Sequence, residues 1–332
     1  MINFRNSVFL LIVSSVVIPG FVLGDSKKKS ENLYNFINIS HIDYGFNDEQ
    51  IGLFLESGVP PIGPESFWVD DNGRVYVCDT ANKKIKLFSA KGEFIDQVSV
   101  DFKCNDVAVD DQNNIFVMDS SRKLIHCFSM KQLLSVIAVD KSLISNANLL
   151  NISDGKLEII TNEQERYLVC EPEQFSLLDA EKNNGDSNDK VILRKPVIRK
   201  NKSRLSLKRT NDLKLEITFL DNDSNSRKTT GKKTSGKTVL PISDVVSSTF
   251  LGSDRAGNCY IQVEQMSESG YGVNLCVYVL NPEGKTDYVI DKIPNNYRAY
   301  TAKLLQVNGQ GDIYQLLPTE QGVEINCWKR NK

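Results

Sequence analysis

Residues 71–95 read DNGRVYVCDTANKKIKLFSAKGEFI, and this stretch contains three strand-like runs. Asn-Gly, Thr-Ala-Asn and Lys-Gly separate the runs, and residues of these types favour turns. Polar and apolar residues alternate within the runs, as expected of strands rather than helices. Because an isolated fragment of so few strands is not stable in water, the rest of its sheet must come from elsewhere in the chain.

The missing neighbours are copies of the same stretch. The segments VYVCD and LFS, within residues 75–89, recur forty residues later as IFVMD and CFS, and fainter copies start near residues 154, 254 and 307. Each copy contains four short strands, two of them joined by an Asp-x-x-Gly turn in which glycine supplies a positive φ. A period of about 40 residues with four strands per unit is typical of propeller blades.

The first copy resembles an NHL repeat, and the resemblance is clear over residues 63–139. The positions that match the pattern of this family are Gly63, Pro64, Val69, Asp70, Gly73, Val77, Asp79, Asn82, Lys84, Ile85 and Phe88. The second copy keeps Asp119 and Phe128 but has Asn113 where the pattern has glycine. The resemblance implies an all-β, six-bladed β-propeller of the TolB-like superfamily, with four-stranded antiparallel blades. It does not imply one function, because NHL propellers bind proteins, RNA or small ligands and a few are enzymes.

Six units begin near residues 64, 104, 147, 205, 251 and 302, within one predicted propeller domain that covers residues 34–330. The last unit has no outer strand after Trp328. Residues 35–44 contain Phe36, Ile37, Ile39 and Ile42, and we expect them to pair beside residues 323–328. An N-terminal strand would then close the last blade and leave no unpaired edge on β-strand 323–328.

Residues 1–24 have the pattern of a secretory signal peptide. Arg5 precedes an apolar run over residues 8–18, and small residues end the segment at Gly24. The apolar run is shorter than the roughly 20 residues of a membrane-spanning helix. We therefore expect an exported protein, periplasmic, on the cell surface or secreted, without stable membrane insertion after cleavage. A retained anchor is the alternative.

A basic segment interrupts an otherwise acidic chain. Residues 194–237 contain 14 Lys or Arg and 4 Asp or Glu, a net charge of +10, whereas the whole chain carries −2. Residues 180–240 combine a predicted hairpin of the fourth blade, over 203–221, with polar, partly disordered insertions. Such a segment is either a solvated loop or a contact for an anionic surface polymer or acidic protein. Nucleic acid is not an expected partner of an exported protein.

The seven cysteines are scattered and form no CxxC pair. Most lie in apolar, strand-like runs, which predicts small buried hydrophobic side chains. Cys259 and Cys276 flank one predicted hairpin and are the candidates for a disulfide. With two histidines and no cysteine cluster, the sequence predicts neither a metal site nor another cofactor.

Candidate binding residues lie in loops that gather on one face of a propeller, after the second strand and before the first strand of each blade. Exposed Tyr and Arg are favoured at binding hot spots. The predicted binding residues are Lys83, Arg122, Tyr297, Arg298 and Tyr300. Asp79 and Asp119 recur in successive units, which favours a structural role in which the carboxylate accepts backbone N–H bonds of its turn.

These features predict a binding or scaffolding module without catalytic residues, which engages a protein or an anionic envelope polymer through one face. The alternative is a propeller enzyme, a metal-dependent hydrolase or lactonase with its site on the central axis. Its ligands for a divalent ion such as Ca²⁺ would be drawn from Glu65, Asn105, Asn148 and Asp254. The sequence contains no nucleophile elbow, phosphate-binding loop or HExxH motif.

Overall fold

The alternating runs form strands in the computed structural model of the chain. The structure describes residues 33–129, 132–139, 147–153, 155–161, 164–170, 192–194, 199–201, 205–210, 212, 214–219, 237–240 and 242–331. In chain order, β1 (Tyr34–Asp43) precedes the strands of blade 1, β2 (Ser66–Val69), β3 (Val75–Asp79), β4 (Lys84–Phe88) and β5 (Phe94–Ser99). Blade 2 contains β6 (Asp106–Val109), β7 (Asn114–Asp119), β8 (Leu124–Ser129) and β9 (Gln132–Ala138).

Blade 3 begins with β10 (Ala147–Ser153), β11 (Lys156–Thr161) and β12 (Arg166–Cys170), which are followed by β13 (Ile192–Arg194) and β14 (Arg199–Asn201). Blade 4 contains β15 (Leu205–Arg209), β16 (Leu215–Phe219) and β17 (Lys237–Leu240). Blade 5 contains β18 (Val245–Ser253), β19 (Cys259–Met266), β20 (Val273–Leu280) and β21 (Thr286–Ile293). Blade 6 contains β22 (Leu305–Val307), β23 (Ile313–Pro318) and β24 (Gly322–Arg330).

These sheets confirm the predicted all-β, six-bladed propeller. Within each blade, successive strands pair antiparallel, as in the order β2-β3-β4-β5 of blade 1 and β18-β19-β20-β21 of blade 5. The described residues form no α-helix. In that part of the chain, accordingly, no helix has the length and apolar character needed to cross a bilayer.

β1 closes blade 6, as the sequence predicted. It pairs antiparallel with β24, from Tyr34 opposite Arg330 to Asp43 opposite Gly322, with one irregularity between Asn38 and Ser40. The resulting sheet has the order β1-β24-β23-β22. The strand that completes the last blade therefore comes from the opposite end of the domain.

Blade 2 has a fifth strand that the sequence did not predict. β13 pairs in parallel with β9, so that Ile192 lies opposite Ser135 and Arg194 opposite Ile137. The chain then returns to blade 3, where β14 pairs with β12 as the fourth strand. A strand of three residues in a region without recognisable repeats carries too weak a local signal to be predicted.

The repeated turns show why the second copy tolerates a substitution. In blade 1, Gly73 has φ of 78°, and its N–H donates to the carbonyl of Asp70 at 3.0 Å. In blade 2, Asn113 has φ of 64° and donates to the carbonyl of Asp110 in the same way. Asparagine is among the few residues that adopt this left-handed conformation readily, so the turn survives the loss of glycine.

The seven cysteines all carry free thiols, and six of them are buried. This confirms their prediction as small apolar core residues. The candidate disulfide between Cys259 and Cys276 is wrong, because the register of the hairpin places Cys259 opposite Leu280 and Cys276 opposite Val263. Burial raises the pKa of Cys276 to about 11, so this thiol stays protonated at neutral pH.

Three expectations lie outside the described residues. They concern the signal peptide at residues 1–24, the disordered character of the insertion within residues 180–240, and its mobile loop, predicted over residues 222–237, of which only Lys237 is described, as the first residue of β17. The hairpin predicted for the fourth blade is confirmed, because β15 and β16 pair from Leu205 opposite Phe219 to Arg209 opposite Leu215.

Candidate functional site

The connections between strands define two faces of the propeller. The upper face carries the turn from the second to the third strand of each blade and the connection from each blade to the next. The lower face carries the other turns, since successive strands of an antiparallel sheet run in opposite directions. All five predicted binding residues lie in upper-face connections, Lys83 and Arg122 in second-to-third-strand turns and Tyr297, Arg298 and Tyr300 between blades 5 and 6.

Three of these five side chains are exposed, and the other two, Tyr297 and Arg298, are partly buried. Tyr300 is 64% exposed, and Lys83 and Arg122 are also exposed. Arg298 is partly exposed, and its Nε lies 3.4 Å from a carboxylate oxygen of Glu320. Whether any of them binds a partner stays a prediction.

Tyr297 has a different environment from the other four. Gln315 Nε2, on β23, donates a hydrogen bond to the hydroxyl oxygen of Tyr297 at 2.9 Å and another to the carbonyl of Pro294. Burial raises the pKa of Tyr297 above its ordinary value. Tyr297 therefore anchors the connection between blades 5 and 6 to the sheet of blade 6, and it leaves Tyr300 as the exposed aromatic residue of this loop.

Sequence reasoning missed several apolar side chains of the upper face. Phe46, Phe54 and Leu55 are 84%, 49% and 55% exposed in the connection between β1 and β2, and Tyr271 is 89% exposed in the turn between β19 and β20. The sequence does contain a signal for three of them, since large apolar residues interrupt a loop-like run of Gly, Pro, Asp and Glu over residues 45–64. Large apolar side chains left exposed together mark interaction sites in soluble proteins.

Asp79 binds a turn of the chain, residues 45–52, which we call the docked turn. The backbone N–H of Gly52 donates to Asp79 Oδ1 at 2.9 Å. Asn82 Nδ2 donates to Asp79 Oδ2 at 2.8 Å and to the carbonyl of Gly45 at 2.9 Å. The fully buried carboxylate thus holds together its own turn and a second, docked one.

Lys86 completes this contact from the next strand. Its Nζ lies 3.3 Å from Asp79 Oδ2 and donates to the carbonyls of Asn47, at 2.9 Å, and of Gln50. Burial lowers the pKa of Lys86, although Asp79 opposes this effect. One carboxylate and one amine of blade 1 therefore hydrogen-bond to the N–H and C=O groups of a peptide turn.

Asp119 and His126 occupy the corresponding place in blade 2. Asp119 Oδ1 accepts hydrogen bonds from Ser121 Oγ at 2.6 Å and from the backbone N–H of Arg122 at 3.0 Å. Asp119 Oδ2 lies 3.9 Å from His126 Nε2, and neither atom has a hydrogen-bond partner among the described residues. The His126 ring stacks on Phe102, with 4.2 Å between ring centroids.

Burial also determines the titration of His126. It lowers the pKa below the ordinary value of 6.5, while the neighbouring carboxylates of Asp119 and Asp101 raise it and the guanidinium of Arg122 lowers it. The imidazole is therefore neutral at neutral pH.

We expect the free energy of unfolding to decrease as the pH falls below 6.5, because the unfolded chain then takes up a proton at His126 that the folded protein resists. Chemical denaturation at neutral and at mildly acidic pH measures this slope. The slope should become smaller in His126→Leu and should remain in His41→Gln, which alters the exposed histidine. An unchanged slope in His126→Leu would contradict the assignment.

A buried ion pair joins four blades near the axis. Lys303 Nζ lies 2.9 Å from Asp106 Oδ1 and donates to the carbonyl of Val107 at 3.2 Å. Asp106 also accepts hydrogen bonds from Ser66 Oγ and from the backbone N–H of Leu150. Ser66, Asp106 and Leu150 belong to blades 1, 2 and 3, and Lys303 precedes blade 6. The cluster therefore has a structural role, because it links these blades to one another.

A cavity of about 960 Å³ opens on the lower face. Trp68 lies toward its inner end, with its ring 5.1 Å from Lys303 Nζ. Two ion pairs flank its mouth, Arg74 with Asp70 and Arg255 with Asp71. Pockets for small ligands have volumes of about 300–1,000 Å³, so this cavity has room for one.

The four residues considered as ligands of a hydrolase metal do not come together. Glu65 lies before β2 at the upper face, where it accepts a hydrogen bond from Asn105 Nδ2 at 2.9 Å. Asp254 follows β18 at the lower face and is bound by Asn258 and Tyr260. The side chain of Asn148 lies outside the described residues. In the described part of the chain, no three His, Cys, Asp or Glu side chains form a group that could hold a metal ion.

The fold and these contacts define a six-bladed β-propeller in which a buried ion pair links the first strands of neighbouring blades. No family model matches the chain, and no curated protein sequence matches it. The chain is thus classified by its fold alone, and its resemblance to NHL repeats stays a prediction.

Several solved structures are similar to this chain at low sequence identity. A member of the DUF4221 family from Bacteroides vulgatus is 11% identical, with coverage of 91% of this chain and 99% of that chain and a TM-score of 0.45. Virginiamycin B lyase from Staphylococcus aureus is 10% identical, with coverage of 90% and 100% and a TM-score of 0.42. A luciferin-regenerating enzyme is 11% identical, with coverage of 80% and 91% and a TM-score of 0.41. Likeness at such identity concerns the fold and does not extend to activity.

Proposed function

We propose that this protein is an exported, non-catalytic binding propeller that engages a partner protein through its upper face. The supporting observation is the set of exposed apolar and aromatic side chains there, including Phe46, Phe54 and Tyr300. Arg122 and Arg298 lie on the same face, and Arg and aromatic residues are enriched at interface hot spots. Export rests on the sequence of residues 1–24 alone.

An anionic surface polymer is the second kind of partner to be tested, because of the basic segment over residues 194–237. A polymer held by charge would bind more weakly with added salt. A protein held by buried aromatic side chains would respond less to salt than to their removal. Salt titration of the captured partner therefore separates the two.

We expect Arg298→Ala and Tyr300→Ala each to weaken partner binding by more than about 1 kcal/mol, as at hot-spot positions. Stability should change by less than about 0.5 kcal/mol, because both side chains are exposed. The measurement is capture of the partner from the protein's own organism, followed by titration of the purified partner against each variant.

Arg255→Ala is the matched control, because Arg255 is an exposed arginine of the lower face with its own ion pair to Asp71. It should bind the partner as the unaltered protein does. Equal binding by Arg298→Ala, Tyr300→Ala and Arg255→Ala would contradict the proposal.

An enzyme with its site on the axis is the second candidate function, and the cavity of about 960 Å³ favours it. Ca²⁺ is the simplest probe, since an ion that binds only the folded state raises the melting temperature. A calcium-dependent rise that is lost on replacing the cavity-lining Asp110 and Asp111 would favour an axial site. An unchanged melting temperature would favour the binding function.

A further inference from the structure

Blades 1 and 2 present the same constellation at the same repeat positions. Asp79, Asn82 and Lys86 of blade 1 correspond, forty residues later, to Asp119, Arg122 and His126 of blade 2. The strand registers agree, since Lys86 lies opposite Val77 and His126 lies opposite Val117. The two sites can therefore be compared position by position along the repeat.

A turn of the chain occupies the site of blade 1, whereas no described residue hydrogen-bonds to the corresponding atoms of blade 2. In blade 1, the docked turn supplies the N–H that binds Asp79 and the carbonyls that bind Lys86. In blade 2, no described residue supplies a hydrogen bond to Asp119 Oδ2 or to His126 Nε2. Their side chains are 0% and 9% exposed. A buried polar group without a partner costs about 1–3 kcal/mol, so two such atoms together call for an occupant.

The Arg122 side chain covers this place loosely. Its guanidinium lies 3.6 Å from Asp119 Oδ2 and 3.3 Å from Asp101 Oδ1, and it rests 6.0 Å above the Phe102 ring. The side chains of Arg122 and Asp101 are 48% and 81% exposed. The pair with Asp101 is exposed and contributes little, whereas the contact with the buried Asp119 carboxylate has to be replaced by the donors of an incoming group when Arg122 moves away. Stacking on Phe102 keeps the imidazole in place meanwhile.

We propose that Asp119 and His126 form a second docking site for a peptide turn, which a partner protein supplies. Asp119 Oδ2 accepts a backbone N–H of that turn, as Asp79 does from Gly52. His126 Nε2–H donates to one of its carbonyls, as Lys86 does to Asn47. The displaced Arg122 pairs with an acidic side chain of the same turn. This inference rests on the proposed function, whose upper face includes Arg122.

The chain itself provides the reason to choose a peptide as the occupant. The docked turn binds through backbone groups, and a carboxylate acceptor beside a neutral imidazole donor offers the same pair of functions. The carboxylate 3.9 Å away favours the tautomer with the proton on Nε2. A single bound water could also bridge two atoms at this separation, and it is the outcome that the experiment must exclude.

A synthetic peptide with the sequence of residues 44–53, YGFNDEQIGL, is the probe, added to the full-length protein. With only two histidines in the chain, NMR of protein labelled with ¹⁵N-histidine reports each imidazole separately. We expect the His126 Nε2 resonance to shift on titration and the His41 resonances to stay. A peptide of scrambled sequence should shift neither.

Two variants test the site by anisotropy of the fluorescently labelled peptide. His126→Leu should lose the binding, although blade 1 is intact in it. His126→Lys recreates the pair seen in blade 1 and should bind about fivefold more tightly, because hydrogen bonds from charged donors are the stronger ones. Thermal melting of both variants shows that the fold is retained.

A His126 resonance that does not move at millimolar peptide, or binding that is equal in His126→Leu, would overturn this inference. So would a nuclear Overhauser effect between His126 Nε2–H and a long-lived water that the peptide leaves unchanged, since that signal identifies a bound water. The proposed function is judged separately, by the effect of Arg298→Ala and Tyr300→Ala on partner capture. Loss of capture in those variants with an unmoved His126 would overturn the docking site alone.

Discussion

Replacing Lys303 by methionine is expected to lower the free energy of unfolding by about 3–5 kcal/mol, the usual cost of removing one partner from a buried ion pair. The side chain of Lys303 is 8% exposed and that of Asp106 is 0% exposed, so the remaining carboxylate would stay buried without its counter-charge. Chemical denaturation of the purified variant measures the loss.

Two further variants distinguish this explanation from simple loss of packing. Lys84→Met removes a lysine whose partner, Asp48, is exposed, and it should cost less than about 1 kcal/mol. Adding Asp106→Asn to Lys303→Met removes the stranded charge but keeps an acceptor for the N–H of Leu150. The double variant should therefore be more stable than Lys303→Met. If Lys303→Met costs no more than Lys84→Met, the ion pair does not hold the blades together.

A chain that begins at Gly45 should be less stable than one that begins at Leu33 by roughly 3–6 kcal/mol, because it lacks β1. Tyr34 and Ile42 are 7% and 4% exposed, and burying each large apolar side chain contributes about 1.5–3 kcal/mol. Removing β1 also leaves unpaired those N–H and C=O groups of β24 that face away from β23. Thermal and chemical unfolding of the two chains measures the difference.

Both chains retain residues 45–52, but the shorter chain lacks the Asp43 carbonyl that accepts the N–H of Ile51, so the difference measures β1 together with this contact. Adding a synthetic peptide of residues 33–44 to the shorter chain should restore part of the lost stability, since a ligand of the folded state stabilises it. Equal melting temperatures of the two chains would show that β24 does not need β1. Such a result would contradict the closure of blade 6 by this strand.

The sequence predicted the architecture because its strongest blades carry local signals. The Asp-x-x-Gly turn and the alternation around Val75 and Ile115 specify strands without help from the rest of the fold. The closing strand followed from counting, because a blade that lacks its outer strand needs one from elsewhere. β13 could not be found in this way, since its three residues pair with β9 only through tertiary contact.

The candidate site was predictable in position but not in environment. Topology alone places Arg122 and Tyr300 on the upper face. The burial of Tyr297 depends on Gln315, which lies on another strand and is distant in sequence, and no local pattern reveals it. That Asp119 Oδ2 and His126 Nε2 have no hydrogen-bond partner in the described part of the chain is likewise visible only when the contacts of blade 1 are compared with those of blade 2.

The closure of blade 6 by β1 has a consequence for the order in which the protein is made. Asn35 and Asn331, whose side chains hydrogen-bond across this junction, are 296 residues apart. At about 5–20 residues per second, β1 waits roughly 15–60 s for its partner to be synthesised. During this interval β1 is an unpaired strand that can join a foreign sheet edge. A nascent chain that is truncated before β24 cannot close the ring. Its β1 therefore stays unpaired, which distinguishes it from the complete chain.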